Sequence, residues 1–549
     1  MDQLTGLDAA FLYMETEQTP MHVAGLTLYD LTDEQRDDFH AIFRSFFETR
    51  TQTVPIFMKK LAKTVFDLDH PGWVDSGPLD FDYHIKSVTL PKPGTRKQLD
   101  AWVAREHAKP LDRSKPMWQF TLIDGLEGGQ GALYSKVHHA AVDGGAGMAI
   151  AAAIYDMSEK PRTVKVPEPK PAARKPTVPE RAVLGLHDLI ATGMREQLKL
   201  LEAVPTVMGQ ALDQIGKIVE GGGAEIEKNI RNLASNALAP KTPFNATMGR
   251  GRTYSSSSLS LADAKAVSKA TGAKMNDVVM AICGGALRAY LEERKALPKD
   301  PLVAFVPVSL RAAGDATSNN QVLSMNIPIG THIADPLKRL ERIVDDSGSR
   351  KEVVNAAKET APNDYTLLGA PLMLPGLMKL FGRTKLADAG LQVVNLCISN
   401  TMGPPFPLYS NGAKVTHLYP VSIATHGVGL NITVQSYIDK LDFGITAGAK
   451  AVPEPERISE LLAVSLAELH AAAVPPEPKE PAPEKPAAKA TPAKAAPKKR
   501  APAAKTAAKK ASPNKKAAPK KAATTKAAAK KPASKKASAK TPTKKASAE

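Results

Sequence analysis

From residue 471 to residue 549 the chain contains no Leu, Ile, Met, Phe, Tyr or Trp, and its only Val is Val474. A stretch like this cannot bury enough apolar surface to offset the entropy of ordering, so 471–549 is predicted to be a disordered tail. Lys-Lys-Ala-Ser recurs there at 509–512, 535–538 and 544–547, but without apolar faces to stack it cannot build a solenoid. The tail holds 22 Lys+Arg against 4 Asp+Glu, which accounts for the whole chain's formal charge of +17. The first 470 residues carry 51 basic and 52 acidic groups. Folding is confined to this near-neutral part, which is long enough for two domains.

Two cysteines, Cys283 and Cys397, rule out a disulfide framework and a four-cysteine zinc site, and they suit a reducing compartment. The first residues have neither a basic leader nor an apolar run, so no signal peptide is expected. No stretch reaches the ~20 apolar residues that span a bilayer. The longest candidate, Tyr365–Met378, is interrupted by Pro371 and Pro375 and reads as a buried, interfacial or channel-lining segment. A cytoplasmic protein with no transmembrane helix is the expectation.

Along the chain the pattern is α/β. Residues 1–158 offer strands at Met21–Tyr29, Trp118–Ile123 and Ala132–Val137, with helices at Leu99–His107 and from Met148. Six prolines between 159 and 181 predict a stiff linker, and 182–240 reads as a helical connector. A second α/β block fills 241–470. It has helices near 261, at 276–291 and at 455–470, and strands at 302–306, 393–398, 415–419, 430–434 and 441–445.

The segment Lys136-Val-His-His-Ala-Ala-Val-Asp-Gly-Gly-Ala-Gly147 concentrates the chemistry. Two histidines close a strand, and an Asp and a glycine-rich turn precede a small-residue helix. If the strand ran through both histidines, their side chains would point to opposite faces, so that one enters a cleft and the other supports the core. An imidazole near neutral pKa is the usual group for taking a proton from a hydroxyl. The residues alone leave other readings open. His138, His139 and Asp143 could form a facial metal triad, although diverging side chains disfavour it, or the cluster could be structural. There is no G-x-S-x-G elbow, Walker A loop or Rossmann glycine fingerprint.

The HHxxxDG segment at 138–144 resembles the active-site motif of the bacterial wax ester synthase/acyl-CoA:diacylglycerol acyltransferase family, within the chloramphenicol-acetyltransferase-like superfamily. Further landmarks agree in order: Leu7-Asp-Ala-Ala-Phe-Leu12, Pro20-Met-His-Val23, Pro110-Leu-Asp-Arg113 with Pro116-Met-Trp118, Asn276-Asp277, Pro307-Val-Ser-Leu-Arg311 and Ser399-Asn-Thr-Met-Gly-Pro404. The resemblance spans nearly all of 1–470 and leaves the tail unexplained. It implies two chloramphenicol-acetyltransferase-like domains with a channel between them, and transfer from acyl-CoA to a lipid alcohol such as diacylglycerol, with wax esters as close kin. By the same resemblance His139 is the general base, His138 supports it, and Asp143 is structural, with Arg311 a candidate salt-bridge partner. Gly144 belongs to the motif turn.

No metal and no bound cofactor are expected; acyl-CoA is a co-substrate. The tetrahedral oxyanion needs donors, for which Asn276 or the Ser399-Asn400 pair are candidates, although an Asn opening a helix is also a common N-cap. Ser309 and Arg311 are candidate substrate contacts, and Trp118 reads as a core anchor. For the tail, counterion release predicts non-specific binding to DNA, and clustered lysines predict attraction to an anionic membrane or lipid-droplet surface. A solubilising tail without a partner is the plain alternative.

Overall fold

The computed structural model describes residues 2–62, 70–142, 144–168, 239–309, 322–358 and 392–474. The expectations placed on Asp143, Arg311, Tyr365–Met378, most of the linker and connector, and the tail beyond 474 lie outside these residues; at 471–473 the predicted disorder is corrected, because the last helix runs on to Ala473.

In chain order the first half gives β1 (Asp2–Gln3), α1 (Gly6–Met14), β2 (His22–Asp30), α2 (Asp33–Asp37), α3 (Phe39–Thr51), β3 (Lys59–Ala62) and β4 (Gly72–Asp75). It continues with α4 (Phe81–His84), β5 (Ile85–Thr89), α5 (Arg96–His107), β6 (Trp118–Asp124), β7 (Gly131–His138) and α6 (Gly144–Ile154). The second half begins with β8 (Arg252–Ser260), α7 (Leu261–Thr271), α8 (Met275–Glu293), β9 (Val303–Ser309), β10 (Val322–Pro328) and α9 (Pro336–Lys358). It closes with β11 (Leu396–Thr401), β12 (Tyr409–Ser410), β13 (Ala413–Val421), β14 (Leu430–Tyr437), β15 (Lys440–Gly448) and α10 (Pro455–Ala473).

These strands form two six-stranded mixed sheets and a small three-stranded one. The first runs β12-β13-β2-β7-β6-β5 and the second β10-β9-β11-β14-β15-β8. The α/β fold class follows the sequence, but the sheets do not follow its halves: β12 and β13, from the second half, complete the first sheet. β13 pairs antiparallel with β2, Lys414 opposite Asp30 through Val421 opposite Ala24.

Strand β7 lies inside the first sheet, and its alternating side chains serve two cores. Leu133 and Val137 join the phenylalanines of α3 (Phe39, Phe43, Phe47) on one face. Ala132 and Tyr134 join Leu99 and Val103 of α5 on the other. Helix α5 starts at a capping box in which Thr95 and Gln98 satisfy each other's backbone N–H. At its other end the buried Lys136 ammonium donates to the carbonyls of Glu106 and Lys109, both at 3.1 Å, neutralising the negative end of the helix. Trp118 is buried, stacks on Phe57 and His84, and donates to the Phe57 carbonyl at 3.0 Å.

The two sheets are stitched together by polar contacts. Asp100 of α5 accepts from the Ser256 backbone N–H at 3.0 Å and from its hydroxyl at 2.8 Å. Asp442 of β15 accepts from the Leu418 N–H at 2.7 Å and from Ser258 at 2.5 Å. Burial raises the Asp100 carboxyl against the lowering effect of the Ser256 hydrogen bonds, to about 7. The folded chain therefore holds a proton there that the unfolded chain releases near pH 4, and stability falls as pH rises from about 4 to 7. Asp100→Asn lacks this titration. Its thermal midpoint relative to the parent chain should move upward between pH 5 and pH 8, and an offset that is equal at both values would refute the assignment.

Candidate active site

Strand β7 ends at His138, and His139 opens a 3-10 turn, His139–Ala141, rather than continuing the strand. The histidines therefore diverge by a change of backbone conformation, not by simple strand alternation. His138 is fully buried. Its Nδ1 accepts the Ala140 N–H at 3.1 Å, so the side chain caps the turn that carries its neighbour. Its Nε2 faces the Glu15 carboxylate at 3.4 Å. Nδ1 is thus committed to the turn, while Nε2 lies within ion-pair range of the carboxylate without a hydrogen bond.

His139 is half-buried. Its ring lies on Phe11 of α1, centroids 3.9 Å apart and planes 16° from parallel. Its backbone N–H donates to the Met21 carbonyl at 2.8 Å, and its Nδ1 has no hydrogen-bond partner among the described residues. Burial, the largest cause, pushes the imidazole down to about 4. It is neutral at pH 7, the form that can accept a proton.

A cavity of about 300 Å³ begins at Val142 and Gly147, beside this turn, and runs beneath α6. Its apolar walls include Val23, Leu26, Ile150 and Leu418, and Thr27, Ser135, Tyr155, Tyr419 and Gln435 bring polar atoms to it. A second cleft, about 910 Å³, lies in the other lobe between α7, α8, α9 and the 400–405 loop. Both fall within the range of small-molecule sites.

The structure brings some predicted residues together and separates others. Asn276 and Asn400 share the wall of the larger cleft; Ser399 is their neighbour on β11. His138 and His139 do not line that wall. Asp277 points inward: it accepts from the Lys274 N–H at 3.3 Å and from Ser347 at 2.9 Å, tying the start of α8 to α9. Gly144 is the first residue of α6, and Ser309 is the last of β9. Glu15, Phe11 and Arg113 received no role from sequence reasoning. Phe11 and Arg113 lie within segments already singled out, but nothing in their spacing says that Phe11 meets His139 or that Arg113 meets Glu15.

Two interlocked mixed sheets, with a histidine turn closing an inner strand of one, place the chain with the two-lobed α/β acyltransferases. The family model described as the wax ester synthase/diacylglycerol acyltransferase catalytic domain matches residues 4–279. The WS/DGAT C-terminal domain matches residues 318–470, and the chain belongs to this family. It is 33% identical over 481 residues to the O-acyltransferase WSD of Acinetobacter baylyi, covering 83% of this chain and 94% of that one. A Mycobacterium tuberculosis protein named as a diacylglycerol O-acyltransferase is 33% identical over 481 residues, covering 85% and 99%. The solved wax ester synthase/diacylglycerol acyltransferase from Marinobacter aquaeolei VT8 superposes with a TM-score of 0.62 at 30% identity, covering 86% of this chain and all of that one.

Proposed function

We propose that the chain transfers an acyl group from acyl-CoA to the hydroxyl of a lipid alcohol, diacylglycerol first, with long-chain alcohols as a second acceptor class. The observation that carries the reading is the neutral, partly desolvated His139, on a turn that leads directly into Val142 at the edge of a cavity. His139 takes the proton of the acceptor hydroxyl as its oxygen attacks the thioester carbon. The tetrahedral oxyanion collapses, the C–S bond breaks, and the imidazolium returns the proton to the CoA thiolate. No covalent acyl-enzyme forms. Asn276 and Asn400 line a cleft that His139 does not share, so they are not assigned as donors for an oxyanion formed at His139; Asp143 and Gly144 are assigned to the motif turn. Ser309, Arg311 and Ser399 are assigned to substrate binding.

Among the described residues no helix is long and apolar enough to cross a membrane. Met402 is 96% exposed and Phe406 41% exposed in the loop beside the larger cleft. With the lysine-rich C-terminal segment they support peripheral attachment to an anionic membrane or lipid-inclusion surface, the cytoplasmic face of the inner membrane included, in preference to DNA.

The test is labelled oleoyl-CoA with diacylglycerol or hexadecanol, following both ester formation and CoA release. CoA release and ester formation with neither these nor any other lipid alcohol would overturn the reading. Run across pH, kcat/KM should stay flat from pH 8 to below 6 and fall only towards pH 4, because the base is inactivated by protonation and burial moves that event downward. An acid limb centred at the ordinary imidazole value near 6.5 would show that a different group is titrating.

A further inference from the structure

We infer that Glu15 is the positioning residue of the histidine turn, clamping the entry to β2 and the exit from β7 so that His139 is held in one place. The inference rests on the reading of His139 as the base.

Glu15 follows α1 directly, and its side chain is only 6% exposed. One carboxylate oxygen, Oε1, accepts the Met21 N–H at 3.0 Å and faces His138 Nε2 at 3.4 Å. The other, Oε2, meets the Arg113 guanidinium, 2.6 Å from Nη2 and 2.8 Å from Nε. Arg113 in turn donates to the Leu12 carbonyl at 2.7 Å. The residues touched by Oε1 are the two that fix the turn. Met21 receives the His139 N–H on its carbonyl, and His138 receives the Ala140 N–H on Nδ1. Both neighbours of the base are thus tied to one carboxylate.

The tautomer follows from the same contacts. Because Nδ1 of His138 accepts from a backbone N–H, the proton of the neutral ring sits on Nε2, and Nε2 faces Glu15. The carboxylate therefore favours the one ring state in which His138 can cap the turn. Burial would raise the Glu15 carboxyl, but the facing His138 Nε2–H, the Arg113 guanidinium and the Met21 N–H hold it below the usual carboxylate range. It stays ionised across the working range. The His139 ring stacks on Phe11 and its Nδ1 has no hydrogen-bond partner among the described residues, so its location depends on this backbone clamp more than on its own side chain.

Glu15→Gln separates positioning from folding because the amide matches the carboxylate in shape. Arg113, with two contacts to Oε2, holds the amide oxygen on its side, so the NH2 falls at the Oε1 position and confronts both the Met21 N–H and His138 Nε2–H, donor against donor. In the full chain, kcat with oleoyl-CoA and diacylglycerol should fall roughly 10- to 100-fold, with KM for oleoyl-CoA within about two-fold. The nitrogen shifts of 15N-labelled His138 should leave the Nε2–H pattern. Unchanged kcat, or a loss of kcat with unchanged His138 shifts, overturns the proposal. Should Glu15→Gln not accumulate as folded protein, Arg113→Gln weakens the same clamp from its more exposed end. It should lower kcat by a smaller factor at unchanged KM, and normal turnover in it would be equally fatal. The nitrogen shifts need no substrate, so they judge the clamp even if His139 proves not to be the base.

Discussion

His139→Ala is expected to lower turnover with acyl-CoA and a lipid alcohol by about 10²–10⁴-fold, the span that general-base catalysis supplies. The residual rate would come from binding and oxyanion stabilisation, which the substitution leaves in place. The fold should survive. His139 sits in a one-turn 3-10 segment, is not part of the sheet, and contributes a ring stack on Phe11 rather than a buried hydrogen-bond network. Its backbone N–H to Met21 is independent of side-chain identity. Loss of the stack costs on the order of 1 kcal/mol, well short of unfolding. His138→Ala should behave differently, since it removes the cap of the turn, and its activity loss should come with a lowered unfolding midpoint. A folded His139→Ala chain with near-normal kcat would end the assignment of the base.

The largest structural effect is expected at Gly444. In β15 it is flanked by the fully buried Phe443 and Ile445, and it pairs with Thr433 of β14 on one side and Ser256 of β8 on the other. A methyl group there would overlap the carbonyl oxygen of Pro420 on β13. Neither party can move easily. Ser256 is pinned by Asp100, and the neighbouring backbone of β13 is held by Asp442 at Leu418 and by Thr446 at Ser422, the latter at 3.1 Å. The requirement is for close backbone approach between the sheets, not for an unusual φ. Overpacking of this kind costs ~1–3 kcal/mol, and more where backbone must shift. Gly444→Ala should therefore lower the urea midpoint markedly, and Gly444→Val should leave little soluble protein. A Gly444→Ala chain with the parent's midpoint would mean that the sheets part without penalty.

Much of this was readable beforehand, for physical reasons. Strands such as β7 and β6 announce themselves by their aromatic and aliphatic residues, although Gln119, Thr121, Ser135 and Lys136 are buried among them, and α10 because Ile458, Leu461, Leu462, Leu466 and Leu469 recur at helical spacing. Strand β8 was missed. Its Arg-Thr-Tyr-Ser-Ser-Ser-Ser-Leu-Ser run looks like a loop, yet three of those serines hydrogen-bond to Asp100, Ser459 and Asp442 from other elements. Polarity there is satisfied by tertiary partners that no local pattern reveals. The same applies to the active site. The histidine pair is legible because it is contiguous, whereas Glu15 lies more than 120 residues upstream of its partner and belongs to no local motif of its own. The crossing of β13 into the first sheet is equally invisible to periodicity, which assigns a strand but not its neighbour.

That crossing has a consequence for synthesis. The edge of β2 is made within the first 30 residues, but its partner β13 is not complete until Val421, some 390 residues later. At roughly 5–20 residues per second the gap is about 20–80 s, during which Leu26, Leu28 and Tyr29 lie beside an unpaired strand edge. Unpaired edges of this kind recruit other chains. A nascent chain of this protein must be sheltered, or kept loosely folded, until its second half arrives to close its first.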